Sequence, residues 1–371
     1  MVRLIKFYNE QTLNLKIVKA NNSKIDAEKF VDKDPEKIKW NRSLFEDSDK
    51  GILHSFTDND IVTAFYRPFV KQKYYFNKDF NWSRYLQPKI FPSPNQHNIV
   101  IGVTGVGASK DFSSLIMDSI PNLDTIEKCI CFPLYHYEER QKQSPSLFDE
   151  AGESEYIRRD GVSDFILERA KAMYGKTVNK EDIFYYVYGF LHSPEYREKF
   201  ANDLKKMLPR LPLVEDVRDF WAFSKAGRKL ADLHINYESV PTYKGVTVNG
   251  AEVLSFLDTE PANTNLFHVD KMRFPRKDQK DTIIYNSRIT ISNIPEEAYD
   301  YVVNGKSAIE WVMERYQITT HKESGIRNDP NDWAKEVGNP RYILDLLLSI
   351  INVSMQTVMV VDGLPGVRFE E

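Results

Sequence analysis

IFYYVYGFLHSPEYREKFANDLKKMLPRLPL, residues 183–213, holds two helices and the junction between them, and the rest of the chain is read outward from it. Asn179 caps the first helix, and Glu181 and Asp182 fill its opening turn, where the positive end of the helix dipole favours acids. That helix runs to Leu191. Ser193 then caps a second, with Pro194 at its first position, where a missing N–H costs nothing, and Glu195 behind it. The second helix ends at Pro209. Ile183, Phe184, Val187, Tyr188 and Leu191 recur at three- and four-residue spacing in the first, as do Tyr196, Phe200, Leu204 and Leu208 in the second, so each has one apolar stripe. Arg197, Lys199, Lys205, Lys206 and Arg210 fall on the wet face, which suits either plain solvent or a polyanion.

With 371 residues, the chain has length for two domains and a sizeable core. A hydrophobic share of 42% and a charged share of 28% are those of an ordinary globular protein. The net charge of −4 argues against indiscriminate nucleic-acid binding, because that binding comes from neutralising phosphates with Lys and Arg. Any DNA surface has to be a local patch. Cys129 and Cys131 lie two apart in an extended run, where a disulfide would be strained, and the reading is a reduced, cytoplasmic protein. The histidines form no ligand pair at helix spacing, so no metal site is expected. The N-terminal MVRLIKFYNE has no secretion signal.

In chain order, residues 1–60 are polar and read as a connecting arm, poorly ordered on its own. Residues 61–160 read as a strand-rich lobe and 161–371 as a helix-rich lobe with a β-hairpin near 281–292. The segment 65–91 interleaves Arg67, Lys71, Lys73, Lys78, Arg84 and Lys89 with ten aromatics against the single acid Asp79. Its cations suit DNA phosphates and its Tyr and Trp suit sugars or bases; an aromatic minicore rimmed by cations fits the same letters. NIVIGVTGVG, residues 98–107, is a buried strand running into a glycine-rich loop. Gly102, Gly107 and Ser109 match a phosphate-binding loop, but Ala108 replaces its lysine. Gly105 and Gly107 are followed by Lys110 where a dinucleotide fold needs a third glycine. A tight turn whose backbone approaches a DNA phosphate fits better.

CICFPLYHY, residues 129–137, is a second strand, with Pro133 placing it at an edge or bulge. Residues 138–160 are acidic and apolar-poor and read as a flexible loop between the lobes. Residues 214–236 form a third helix, with Val217, Trp221, Leu230 and Leu233 inward and Lys225, Arg228 and Lys229 outward. In DTIIYNSRITIS, residues 281–292, two β-branched runs flank Asn286 and Ser287 as a hairpin. Before it, KMRFPRKDQK gathers Lys271, Arg273, Arg276, Lys277 and Lys280. Arginines beside a hairpin suit guanine O6 and N7 in the major groove; a solvated loop is the plain alternative. PRYILDLLLSIINVSMQTVMVV, residues 340–361, is apolar all round but interrupted by Asp345, Asn352 and Gln356. It reads as a central helix, or as a docking helix with an exposed apolar strip.

A resemblance joins these pieces. YYVYGFLHSPEYREKFANDLKKMLPRLP, FSKAGRKLADLHINYE (223–238), IIYNSRITISNIPEEAYDYVVNGKSAIEWVMERY (283–316) and NDPNDW (328–333) resemble the C-terminal specificity domain of single-chain Type ISP restriction-modification enzymes, over most of the chain from about residue 65 onward. In that family a nuclease, an ATP-dependent translocase, an adenine methyltransferase and a target-recognition domain share one polypeptide. The resemblance implies sequence-specific recognition of duplex DNA, with the upstream methyltransferase and translocase as partners in the same polypeptide and the chemistry done there.

The residues agree on what is missing. No Asn/Asp-Pro-Pro-aromatic loop exists to grip a flipped adenine, no helicase phosphate-binding lysine survives, and no hydrolase elbow is found. The expectation is therefore an α+β target-recognition domain, with no catalytic residue, metal or cofactor in this chain and no membrane. Arg67, Lys71, Lys73 and Arg84 are its backbone contacts, and Arg273, Arg276 and Lys277 its candidates for base edges. A nucleotide- or S-adenosylmethionine-binding enzyme domain at the glycine loop, and a scaffold docking through Leu347 and Ile351, are the rival readings.

Overall fold

The structure is a computed structural model that describes residues 1–140, 155–250 and 266–369. It is α+β: helices separated by several small antiparallel sheets. Two compact units divide the chain, one built from residues 1–64, 72–88 and 318–328, the other from 65–71, 89–317 and 329–371.

The anchor stretch folds as its letters dictate at its caps. Asn179 accepts from the Asp182 N–H while the Asp182 carboxylate accepts from the Asn179 N–H, a reciprocal box that opens the Lys180–Phe190 helix. Ser193 accepts from the Tyr196 N–H and starts Pro194–Lys199. The predicted second helix does not reach Pro209. Phe200 leaves helical geometry at φ −106°, ψ 17°, and only Ala201–Leu204 continues beyond it. Tyr196 and Leu204 stay buried across the break, while Leu208 is exposed. The apolar spacing is thus kept by two short helices in place of one.

Val217–Ile235 is the third helix, and its inward face differs from the sequence expectation. Phe220, Phe223, Gly227, Leu230, Ala231 and Leu233 are buried; Val217 is exposed and Trp221 only half-buried. The cause is the neighbour it meets. A Cβ at Gly189 would lie 2.1 Å from the Phe223 carbonyl oxygen, and one at Gly227 would lie 1.8 Å from that of Tyr185. The two helices cross backbone to backbone at these glycines, which turns the aromatic face of Val217–Ile235 inward. Tyr174 stacks on Phe220 at 4.1 Å, and Tyr186 on the same ring at 5.1 Å.

Against this pair lies a three-stranded sheet in the order Ser114–Met117, Val100–Val103, Ile130–Pro133, with Ile101 opposite both Ile116 and Phe132. Pro133 sits on an edge strand, where its missing N–H breaks no ladder. A polar thread ties sheet to helices. The Ile116 N–H donates to the Tyr188 hydroxyl, which is 2.6 Å from His234 Nδ1, and His234 Nε2 is 3.0 Å from Thr357 Oγ1 on the last helix. Burial keeps the imidazole neutral, so one of its ring nitrogens donates and the other accepts in this thread.

That last helix, Tyr342–Asp362, is long and apolar enough to cross a membrane by length and composition. Most of its apolar surface lies inside the protein: Leu344, Leu347, Ile350, Ile351 and Val353 are fully buried. Leu347 and Ile351 therefore do not form the exposed docking strip considered from sequence. Residues 138–160 also differ from the loop expected. At the described ends Tyr135–Glu139 pairs antiparallel with Tyr156–Asp160, in register Tyr137↔Arg158; residues 141–154 lie outside the described residues.

In the other unit, residues 1–60 are not a loose arm. Val2–Asn21, Ala27–Phe30 and Arg42–Asp49 are helices closed over two small cores, one around Tyr8, Ile38 and Leu44 and one around Leu15, Ala27 and Val31. A sparse apolar pattern suffices because Trp40 reaches both cores.

Candidate nucleic-acid interface

The second basic segment is built onto a sheet. Ile283–Ile284 pairs with Thr290–Ser292, and that strand pairs with Thr247–Asn249. Arg273 adds a further rung on the free side of Ile284: its N–H donates to Ile284 O at 3.1 Å, and the Ile284 N–H donates back at 2.8 Å. The hairpin turn, residues 285–289, is fixed from within by Asn286. Its amide donates to Leu266 O at 2.9 Å and His268 O at 3.0 Å, and its oxygen accepts from the Arg288 and Ile289 N–H groups at 2.9 and 2.8 Å. Tyr285 is fully buried, its phenol pushed up by burial, and donates to Phe267 O at 2.9 Å. The turn and residues 266–268 are thereby one rigid piece.

An open groove of about 330 Å³ runs between this turn and residues 268–273, lined by Asp270, Lys271, Arg273, Asn286, Ser287 and Arg288 among others. Lys271, Arg273, Arg276, Lys277 and Arg288 are all exposed. None pairs with a carboxylate among the described residues; nearby, His268 takes Asp270 at 3.4 Å and Lys280 takes Glu310 at 3.2 Å. The structure brings Arg273 into the groove and leaves Arg276 and Lys277 outside its lining. Sequence reasoning missed Arg288, whose signal was its place just after the hairpin tip.

The first basic segment divides between the units: Arg67 and Lys71 belong to one, Lys73 and Arg84 to the other. Lys71 is only 19% exposed, 3.2 Å from Asp118, with its ammonium 5.4 Å from the Phe65 ring centroid and 5.6 Å from that of Tyr237. Arg67 donates to Tyr66 O at 2.7 Å and lies 4.2 Å over the Tyr66 ring. Arg84 lies 4.9 Å over buried Phe76, flanked by Trp82 and Tyr85, which are 61% and 88% exposed. Lys73 is exposed. The minicore reading holds for Phe65, Phe69 and Phe76, which are core, while Trp82 and Tyr85 present open rings.

Arg197 was expected on a wet face and is not there. It turns inward, half-buried, and donates from Nε to Leu191 O at 2.6 Å and from Nη2 to Ser114 Oγ at 3.2 Å. Burial pulls its pKa down.

The glycine-rich loop is occupied by its own chain. The Glu127 carboxylate accepts from the Ser109 N–H at 3.0 Å, the Ser109 hydroxyl at 3.0 Å and the Lys110 N–H at 2.9 Å. The Ser109 and Lys110 N–H bonds hold that carboxyl below its usual range. Lys128 donates to Gly107 O at 2.6 Å. The backbone donors that a phosphate would use are taken, which removes the approach to a DNA phosphate expected from sequence and disfavours a nucleotide site.

Among the described residues, one group has metal-ligating composition: Asp47, His54 and Asp79. Asp47 lies 3.2 Å from His54 Nε2 and Asp79 lies 3.4 Å from Nδ1. The ring nitrogens point apart, so a single ion meets only one of them.

No curated protein matches the chain. Among solved structures it is similar to a nuclease-deletion mutant of the Type ISP restriction-modification enzyme LlaGI in complex with a DNA substrate mimic. The identity is 36% over 100% of this chain and 31% of that one, with a TM-score of 0.79. It is also similar to the ATP-dependent Type ISP restriction-modification enzyme LlaBIII bound to DNA, at 33% identity over 99% of this chain and 22% of that one, TM-score 0.81. A third is the DrdV–DNA complex, at 31% identity over 99% of this chain and 33% of that one, TM-score 0.77. The chain thus spans a third or less of these relatives' length. Residues 6–346 match the family described as the Type ISP C-terminal specificity domain, and the chain belongs to that family.

Proposed function

We propose that this chain reads a specific sequence in duplex DNA as the specificity domain of an ATP-dependent restriction-modification enzyme, whose translocase, nuclease and adenine methyltransferase lie elsewhere in a longer parent chain. The observation that carries the reading is family membership across residues 6–346, with relatives solved on DNA. The exposed, unneutralised cations around the 285–289 turn support it, because a chain of net charge −4 needs such a local patch.

Arg67, Lys71, Lys73 and Arg84 contact the phosphate backbone, with Trp82 and Tyr85 against sugars or bases. Arg273, Arg276 and Lys277 face base edges. The chain itself performs no chemistry and carries no cofactor; residues 1–60 face the upstream methyltransferase, and the work is done in the cytoplasm. Lys71 is the weakest of the backbone contacts, since Asp118 already neutralises it. The test is selection of bound duplexes from a randomised pool by this chain at low and then moderate salt. An enriched motif of several base pairs that persists as salt rises is the expected result; binding without enrichment would reject sequence reading by the chain alone.

A further inference from the structure

The groove at the hairpin turn contains more than positive charge. Arg288 and Arg273 bring guanidinium forks to it, and Asp270, in the same lining, brings a carboxylate that is 85% exposed. One Asp270 oxygen lies 3.4 Å from His268 Nε2, which leaves the second oxygen for a ligand. A site meant only for phosphates gains nothing from a carboxylate, which would repel them. A site meant for a base pair does. In the major groove guanine offers two acceptors, O6 and N7, and its partner cytosine offers one donor, the N4 amino group. A guanidinium fork beside a carboxylate is the complement of that pattern. An A·T pair instead calls for an amide that donates and accepts at adenine N6 and N7. The one amide here, Asn286, spends both ends on the backbone.

We infer that this groove reads one G·C base pair, Arg288 donating to guanine O6 and N7 and Asp270 accepting from cytosine N4. Lys271 lies beside them for the adjoining phosphate. Asn286 is a positioning residue: it fixes the Arg288 backbone through the Arg288 N–H and fixes residues 266–268, which lead into Asp270, through two carbonyls. A reader held this way loses little conformational freedom on binding. The inference rests on the duplex-reading proposed above and specifies two residues and a base pair within it.

The experiment is the randomised-pool selection run in parallel on the full chain, Arg288→Ala, Arg288→Lys and Asp270→Ala. Each variant's thermal melting midpoint is compared with that of the unaltered chain, and the exposure of both side chains predicts no change. The unaltered chain should enrich a motif with an obligate G·C pair. Both Arg288 variants should lose guanine preference at that one position, roughly ten- to hundredfold, with Arg288→Lys keeping its affinity for unselected DNA. Asp270→Ala should relax the same position and no other. The inference is overturned if the variants keep the motif intact, if Arg288→Ala weakens all sequences equally, or if the position that relaxes is A·T. If the unaltered chain enriches nothing, the duplex reading itself fails and the inference falls with it.

Discussion

His234 carries no charge in the folded chain, and its surroundings explain why. Burial, with the Arg197 charge beside it, brings its pKa from 6.5 down to about 3, and both ring nitrogens are engaged by Tyr188 and Thr357. An unfolded chain has no such restraint, so between about 3 and 6.5 the unfolded state takes up a proton that the fold refuses. Stability is level above that window and falls as pH drops through it, by at most about 1.4 kcal/mol per pH unit for one group. His192, whose pKa burial also holds well below its ordinary value, acts in the same direction. Urea unfolding at pH 7 and pH 5 checks this: His234→Gln should lose less stability between the two than the unaltered chain, and equal losses would assign acid sensitivity elsewhere. None of this network was legible in the sequence. Its partners lie 46 and 123 residues from His234, and a scattered histidine carries no sign of what it will meet.

At the scale of elements, legibility followed range. The caps Asn179 and Ser193 were readable because a cap bonds its own helix within three residues. The inward face of Val217–Ile235 was not, because a backbone contact with another helix decides it, and a glycine in sequence does not say what it touches. Apolar spacing also overran the break at Phe200, since two short helices in series keep the same stripe. Gly189→Ala places a methyl carbon 2.1 Å from Phe223 O, and neither backbone is free to yield. The expected cost is about 3 kcal/mol or more, at the upper end of overpacking, read as a lower denaturation midpoint. A near-neutral substitution would mean that the helices slide apart at small cost.

Over the whole molecule, the α+β class and the basic hairpin were present in the letters. What the letters could not reveal was which cations are already neutralised. Lys71 and Lys271 read alike, yet Asp118 compensates the first and no described carboxylate compensates the second. That difference predicts behaviour in salt. Lys271→Ala should weaken binding evenly across sequences and reduce the slope of log affinity against log salt by about 0.9, while Lys71→Ala should change that slope less. Equal slope changes would mean that Asp118 releases Lys71 when DNA arrives. The first basic segment contributed half an answer for a similar reason: alternation of aromatic and basic residues does not say which rings face inward.

Glu127 fills the glycine-rich loop from outside it, and that bears on competition. A carboxylate tethered some eighteen residues from the N–H groups it fills acts as an intramolecular ligand, at an effective concentration of about millimolar or above. A nucleotide or free phosphate would have to outcompete a ligand that cannot diffuse away. The loop keeps the outline of an anion site while its own chain holds the place.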